Sequence, residues 1–247
     1  MTRGRAACSA LLVGATLVGA SPAAQASEKA TIELFTSQGC SSCPPADKLI
    51  GELARDPNLI VMSLAIDYWD YLGWKDTLAL KGHSKRQQSY ARVRGDREVY
   101  TPQAVVNGLM HVAGSDRSAI ERAIEITRRD ASAMRLAVMV KMEGDQLTVT
   151  VPEGKEIQGG AEVWLVPLAK KVPVAIERGE NRGHTITYSN VVRRWVKLGE
   201  WNGKSETFTV GLKEVFGGEV DSVAVMVQNG EAGAPGTVLG AAIASTR

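Results

Sequence analysis

A cysteine pair between a strand-like segment and a helix-like segment constrains the fold of this chain more than any other feature. The pair lies at Cys40–Cys43, in the run Cys-Ser-Ser-Cys. Residues 31–36 before it are rich in strand-forming side chains, and residues 46–53 after it repeat apolar side chains at the i, i+3, i+4 and i+7 positions of one helical face. Two cysteines at this spacing and junction indicate a redox dithiol.

The first 26 residues have the three parts of a secretory signal peptide. Two arginines precede the apolar stretch Ala10–Ala20, and Ala24-Gln25-Ala26 forms a cleavage site of the A-x-A type. The apolar stretch is too short to span a bilayer, and Cys8 precedes it, so we expect this cysteine to leave with the signal. We therefore expect a periplasmic or secreted protein, in a compartment where disulfides persist.

Charge and hydropathy exclude several classes of partner. Removal of the signal leaves 27 basic and 27 acidic residues, so the mature chain has no electrostatic reason to bind nucleic acid or an anionic membrane. No later segment approaches the roughly 18 consecutive apolar residues of a transmembrane helix. We expect neither a nucleic-acid partner nor an integral membrane segment after cleavage.

The first part of the mature chain alternates strand and helix. After the helical face at 46–53, the sequence predicts a buried strand at 59–66, a polar helix at about 76–92, a hairpin around Asn107-Gly108 and a final helix from Ser118. The predicted order is β-α-β-α-β-β-α, which is the order of a thioredoxin-like α/β domain. We place this domain at residues 27–130.

The rest of the chain lacks the helical period. Short β-prone runs separated by Gly, Pro, Asn and Asp predict an all-β, sandwich-like C-terminal domain over residues 131–247. The predicted strands are 135–142, 146–151, 161–167, 172–176, 185–188, 207–210, 222–228 and 238–244.

The position of each cysteine predicts its role in thiol chemistry. At the N-terminal end of a helix, unpaired backbone N–H groups and the helix dipole favour a thiolate, so Cys40 is the expected nucleophile. Cys43, one turn into the helix, is expected to resolve the mixed disulfide. Pro44 and Pro45 suit a first helical turn. Thr101 and Pro102 begin the third strand, where a cis proline facing the dithiol would leave a backbone edge for a substrate chain.

Other uses of the two cysteines stay open. A purely structural disulfide that closes so short a loop gains only about 2 kcal/mol from chain entropy. A zinc site needs about four ligands, whereas His83, His111 and His184 are isolated in the sequence, so we predict no metal centre of this kind. Two thiolates can hold Cu(I), which makes a Cu(I) carrier or a non-catalytic binding module the alternative function.

Three segments of the first part closely resemble one family. The runs Glu33–Asp47, Asp67–Trp74 and Tyr100–Gln103 are similar to the secreted thioredoxin-like proteins catalogued as domain of unknown function 1223, and Trp195–Trp201 and Val225–Asn229 resemble its C-terminal half. The resemblance implies a thioredoxin fold and a thiol–disulfide oxidoreductase acting on protein or small thiol substrates, with an unknown redox recycling partner. No organic cofactor is implied. The cysteine pair and the proline carry over by motif position.

One departure from ordinary thioredoxins concerns proton transfer. Leu34 stands where a buried acid often assists the second thiol, and the neighbouring Glu33 points to the other face of the strand. We therefore predict either that another acid serves, with Asp67 preferred to Asp70, or that the exchange is slow. Substrate contacts are predicted for Thr101 and for Trp69 and Trp74 of the aromatic segment, residues 67–75, with packing of this segment against the domain as the alternative.

Overall fold

A large, mostly β sheet with a few helices on its faces forms the framework of this mixed α/β protein. The computed structural model describes residue 1 and residues 30–155, 157 and 159–245. The predicted signal sequence and its cleavage site therefore lie outside the described residues, apart from Met1.

Strands and helices alternate up to residue 127. The two central strands, β1 and β2, run parallel, and β1 pairs with β3 in the antiparallel direction. The elements are β1 Ala30–Thr36, α1 Pro44–Leu53, β2 Leu59–Ala65, α2 Lys81–Arg94, β3 Gln103–Val106, β4 Met110–Ala113 and α3 Arg117–Thr127, with a 3-10 turn at Asp70–Leu72.

The later part of the chain is almost entirely strand. Its elements are β5 Met139–Glu143, β6 Gln146–Val151, β7 Ala161–Ala175, β8 Thr185–Val192, β9 Val196–Trp201, β10 Glu206–Gly211, α4 Leu212–Val215, β11 Ser222–Glu231 and β12 Ala234–Ser245. Within the described residues, none of the helices has the length and apolar character needed to cross a bilayer.

The large sheet crosses the predicted domain boundary near residue 131. Its strands are ordered β12-β11-β7-β8-β2-β1-β3-β4, with β9 also paired to β7. The junction is the parallel pair β2 and β8, where Ser63 faces Val191. Ser63 Oγ donates to Ser189 O at 2.7 Å, and Asn190 Nδ2 donates to Val61 O at 2.9 Å. The β-rich half therefore extends the same sheet, because β2 offers a free edge that β8 fills.

Three large apolar clusters cover the faces of this sheet, and a smaller fourth one lies around β7 and β8. One lies between the central strands and helices α1 and α3, and a second occupies the opposite face beside α2. The third fills the space between β7, β11 and the separate three-stranded sheet β10-β6-β5, so that the later part of the chain includes two packed sheets. The central strands are thus buried on both faces, as a parallel pair requires.

Candidate functional site: the dithiol loop

The cysteine pair lies in the loop that joins β1 to α1. Cys40 and Cys43 form a disulfide with their Cα atoms 5.4 Å apart. Cys40 is 4% exposed and Cys43 is fully buried. Tight backbone turns fix the loop, with Cys40 N donating to Ser37 O at 3.2 Å and Cys43 N donating to Cys40 O at 3.1 Å. The N-terminal cysteine is thus the one closer to solvent.

The helix begins at Pro44, so Cys43 lies just before it and not one turn inside it as predicted. Cys43 is the residue that precedes the first turn of α1, and Pro44 and Pro45 fill the first two helical positions. Cys40 therefore lies one turn before the helix instead of at its end. The two prolines favour a first turn but carry no N–H, and Ala46 N already donates to Cys43 O at 2.9 Å. The helix end consequently offers Cys40 fewer N–H donors than we expected.

The Thr101-Pro102 segment lies against the dithiol loop. The peptide bond between these residues is cis, as the sequence-based interpretation predicted. Ser42 Oγ lies 3.4 Å from Cys40 Sγ and 3.5 Å from Thr101 O, so one serine side chain connects the first cysteine to this segment. A Cβ added to Gly114 would come within 3.2 Å of Pro102 and 2.5 Å of Leu34, which places the proline beside the strand that precedes the dithiol.

Both predicted tryptophans contact this region. Trp69 Nε1 donates to Thr101 Oγ1 at 2.8 Å, and Trp74 Nε1 donates to Gln38 Oε1 at 2.7 Å. Tyr71 stacks on Trp69 and is 75% exposed. The aromatic segment therefore packs on the dithiol loop and also leaves an apolar surface facing solvent beside it.

The predicted proton relay, Asp67, is directed elsewhere. Its Oδ1 accepts from Ser84 Oγ of α2 at 2.5 Å. Among the described residues, no hydrogen bond joins Asp67 to either cysteine. The carboxylate therefore ties the end of β2 to α2.

A different acid, Asp47, is buried close to the second cysteine. It lies in the first turn of α1, four residues after Cys43, and its N–H donates to Cys43 O at 3.1 Å. Asp47 Oδ1 accepts from Thr36 Oγ1 at 2.7 Å. Burial raises the pKa of Asp47 to about 8, against the lowering effect of Thr36, and the nearby charge of Asp76 raises it further. Sequence reasoning missed this acid, although a carboxyl one turn after Cys43 on an apolar helical face was a visible signal.

Asp76 anchors the residues just before the dithiol. Its Oδ2 accepts from Gln38 N at 2.7 Å and its Oδ1 accepts from Leu78 N at 2.8 Å. Burial raises the pKa of Asp76 to about 6, while these backbone donors lower it. Asp76 therefore fixes the backbone two residues ahead of Cys40.

The turn between β7 and β8 also reaches the dithiol loop. Asn181 Nδ2 donates to Gln38 O and to Cys40 O, both at 2.9 Å. Glu180 Oε2 accepts from Ser41 N at 3.2 Å. No local sequence pattern pointed to these contacts, because about 140 residues separate the partners.

Metal-binding side chains and cavities elsewhere in the described residues offer no stronger functional centre. In the part of the chain that the structure describes, no group of three or more His, Cys, Asp or Glu side chains is arranged to hold a metal ion. A cavity of about 490 Å³ beside α2 is lined by Trp164, Trp195 and Arg86 among others. Arg86 is already bound by Glu33 and Tyr90, and Arg92 at the rim donates to Gly233 O, so the dithiol loop stays the candidate site.

Comparison with known proteins settles the family. The model of a protein family of unknown function, DUF1223, matches residues 31–228. The chain belongs to the DUF1223 family. The matched region contains the dithiol, the Thr101-Pro102 segment and the β7–β8 turn, and it confirms the predicted family membership.

A solved structure shares the fold of this DUF1223 chain over most of its length. The crystal structure of a protein from Agrobacterium tumefaciens is 32% identical, with a TM-score of 0.81 over 91% of this chain and 97% of that chain. A hypothetical protein from Pyrococcus horikoshii is 11% identical over 48% of this chain and 92% of that chain, with a TM-score of 0.22, which is too low to indicate a shared fold. No curated protein matches this chain.

Proposed function

We propose that this DUF1223 protein is a secreted or periplasmic thiol–disulfide oxidoreductase, with its dithiol on a thioredoxin-like unit formed by β1 to α3. The observation that carries the proposal is the Cys40–Cys43 pair itself, which forms a disulfide at a strand-to-helix junction with Thr101 and Pro102 alongside. Cys40 is the more exposed partner, as an attacking sulfur must be.

The exchange proceeds in two displacements. The Cys40 thiolate attacks one sulfur of a substrate disulfide, forms a mixed disulfide and releases the other substrate sulfur as a thiolate. The Cys43 thiolate then attacks Cys40 Sγ, closes the Cys40–Cys43 disulfide and releases the second substrate thiolate. The dithiol loses two electrons and two protons, and the substrate disulfide gains them. The reverse sequence oxidises a substrate dithiol.

Asp47 is the proton acceptor for the second thiol in this mechanism. Cys43 is fully buried, so it needs a nearby group to take its proton before it can attack. A carboxyl with a pKa of about 8 exchanges protons readily near neutral pH. Its position in the first turn of α1, with its N–H bound to Cys43 O, keeps it next to the second cysteine.

The substrate is a protein, peptide or small thiol whose disulfide reaches Cys40. The Thr101 backbone and the exposed ring of Tyr71, stacked on Trp69, offer a polar edge and an apolar surface beside the first cysteine. A separate redox partner restores the dithiol after each turnover, because the exchange consumes it stoichiometrically. No organic cofactor enters these steps.

Reduction of insulin in the presence of dithiothreitol tests the proposal. We expect the wild type to accelerate insulin precipitation and Cys40→Ser to lose this acceleration. Cys43→Ser is the matched control, because it should keep a reactive Cys40 and form a stable mixed disulfide without turning over. An inactive wild type that binds Cu(I) stoichiometrically through both thiols would overturn the enzyme assignment and favour the carrier.

A further inference from the structure

The turn between β7 and β8 is a preformed structure that reaches the dithiol loop from the β-rich half. It covers residues 176–184 and is closed by its own backbone, with Ile176 N donating to His184 O at 2.9 Å and Gly183 N donating to Ile176 O at 2.8 Å. A Cβ added to Gly179 would lie 3.2 Å from Trp74 Cβ, so the turn also packs closely on the aromatic segment. Its position relative to the dithiol is therefore fixed.

Asn181 is the anchor of this contact. Its side chain is 3% exposed, and its two amide hydrogens point to two successive turns of the dithiol loop, at Gln38 O and Cys40 O. A buried amide that satisfies two backbone carbonyls holds both segments in one geometry. The contact thus determines where the preceding residue, Glu180, is placed.

Glu180 places a carboxylate beside the first cysteine. Its Oε2 accepts the N–H of Ser41, the residue that follows Cys40. The nearby N–H donors that could stabilise a Cys40 thiolate are few, since Pro44 and Pro45 have none and Cys43 N donates to Cys40 O. Ser42 Oγ, at 3.4 Å, is the remaining hydrogen-bonding side chain at the sulfur among the described residues.

Other charges around the loop are Asp76, bound to Gln38 N, and Asp47 on α1. The same turn also contains Arg178 and Arg182, both exposed and, in the part of the chain described, free of side-chain hydrogen bonds and ion pairs. Of these charged side chains of the turn, Glu180 is the one that contacts the backbone next to Cys40. An acid at this point disfavours a second negative charge on the sulfur.

We propose that the β7–β8 turn tunes the dithiol toward reducing power, with Asn181 placing the turn and Glu180 destabilising the Cys40 thiolate. In the equilibrium with glutathione, the protein disulfide and two glutathione thiols form the protein dithiol and one glutathione disulfide. A less stable Cys40 thiolate shifts this equilibrium toward the protein disulfide, so the dithiol gives up its electrons more readily. The inference rests on the proposed function, and it adds the direction of electron transfer, from the protein dithiol to a substrate disulfide.

Glu180→Gln tests the charge while keeping an oxygen that can accept from Ser41 N. We expect the pKa of the Cys40 thiol, followed by thiolate absorbance, to fall by about half a unit to one unit, because the carboxylate is partly screened by solvent. The glutathione equilibrium should move about threefold to tenfold toward the dithiol, and tenfold corresponds to about 30 mV. Glu177→Gln, an exposed acid of the same turn with no contact to the dithiol loop, should leave both values unchanged.

Asn181→Ala tests the placement. In this background we expect the Glu180→Gln shift to shrink, because the carboxylate is no longer held at Ser41 N, and a double-mutant cycle measures the difference. An unchanged Cys40 pKa in Glu180→Gln, or a rise, would overturn the inference. Neither measurement depends on turnover, so an inactive wild type in the insulin assay would count against the proposed function alone.

Discussion

Two buried carboxyl groups lie close together in the sequence and have opposite surroundings. Glu33 of β1 accepts from Arg86 Nε at 2.5 Å, from Arg86 Nη2 at 2.9 Å and from Tyr90 Oη at 2.5 Å. Asp47 of α1 accepts from the Thr36 hydroxyl, and its second oxygen is buried without a hydrogen-bond partner among the described residues. The first carboxyl is matched by a cation and the second is not.

The difference shows how two buried carboxyl groups serve different purposes. The Glu33 pair joins β1, α2 and β11, because Arg86 also donates to Gln228 Oε1 at 2.8 Å and lies 4.2 Å over the ring of Trp195. Such a network holds elements in one arrangement. Asp47 has no cation, so burial raises its pKa into the range where it can exchange a proton with a thiol. Glu33 is thus structural, and Asp47 belongs to the proposed chemistry.

Breaking the matched pair should have the largest effect. Arg86→Met leaves Glu33 buried without its cation, and we expect a loss of about 3–5 kcal/mol in the free energy of unfolding measured with urea. Arg117→Ala removes an exposed partner of Glu52 and should cost only about 0–1 kcal/mol. Equal losses for the two variants would contradict the structural role of the Glu33 pair.

Replacing the unmatched acid should stabilise the protein. Well below pH 3.8 Asp47 is protonated in both the folded and the unfolded chain, so its ionisation contributes nothing. As the pH rises above the ordinary pKa of 3.8, the unfolded chain loses this proton while the folded chain keeps it up to about pH 8, and stability falls. We therefore expect Asp47→Asn to be more stable than the wild type by about 2–4 kcal/mol at pH 8, with the gap closing toward pH 4.

The same variant should slow exchange, which separates it from a purely stabilising change. Asn cannot accept the Cys43 proton, so we expect slower closure of the mixed disulfide near neutral pH, with Cys40 alkylation unchanged. Stopped-flow measurement of the rate at which the substrate thiol leaves the mixed disulfide checks this expectation. Release at the wild-type rate would remove Asp47 from the mechanism while leaving its effect on stability intact.

A smaller effect is expected from the hydroxyl that contacts Asp47. The hydrogen bond from Thr36 lowers the pKa of Asp47, so Thr36→Val should raise this pKa further and cost about 1 kcal/mol in stability. The pH dependence of mixed-disulfide closure should move to higher pH. Thr36→Ser keeps the hydroxyl and should behave like the wild type, so a matching shift in both variants would assign the effect to packing.

The smallest effect concerns the aromatic segment. Trp69→Phe keeps a ring but removes the indole donor to Thr101 Oγ1, and we expect a loss of stability of about 0.5–1.5 kcal/mol. The KM for a disulfide peptide should rise severalfold, while reaction with a small disulfide stays unchanged. An equal change for both substrates would argue against a peptide surface at this position.

Local patterns predicted much of the first part of the fold. The dithiol junction and the turn at Asn107-Gly108 follow from short runs of residues, and the opposite directions of Glu33 and Leu34 follow from strand alternation. The cis Thr101-Pro102 bond was predicted from the expected fold and not from the dipeptide itself. The position of Cys43 relative to α1 was wrong, because the two prolines occupy the first helical turn, as predicted, and leave Cys43 just before it.

Long-range contacts could not be predicted from these patterns. The pairing of β8 with β2 depends on one residue pair and two polar side chains across the predicted boundary. Glu180 and Asn181 lie in a turn with the composition of an ordinary exposed turn. Their contacts with the dithiol loop arise because the pairing of β8 with β2 brings this turn next to the loop. The position of the cysteine pair was therefore predictable from the sequence, whereas its surroundings required the structure.

The redox potential of the Cys40–Cys43 pair tests the central claim most directly. The protein is equilibrated with defined ratios of reduced and oxidised dithiothreitol or glutathione, quenched, alkylated and weighed by mass spectrometry. An exchange dithiol predicts a two-electron transition between about −270 and −120 mV, the range of thioredoxin to strongly oxidising catalytic pairs. A disulfide that stays closed below about −300 mV would be structural and would contradict the account.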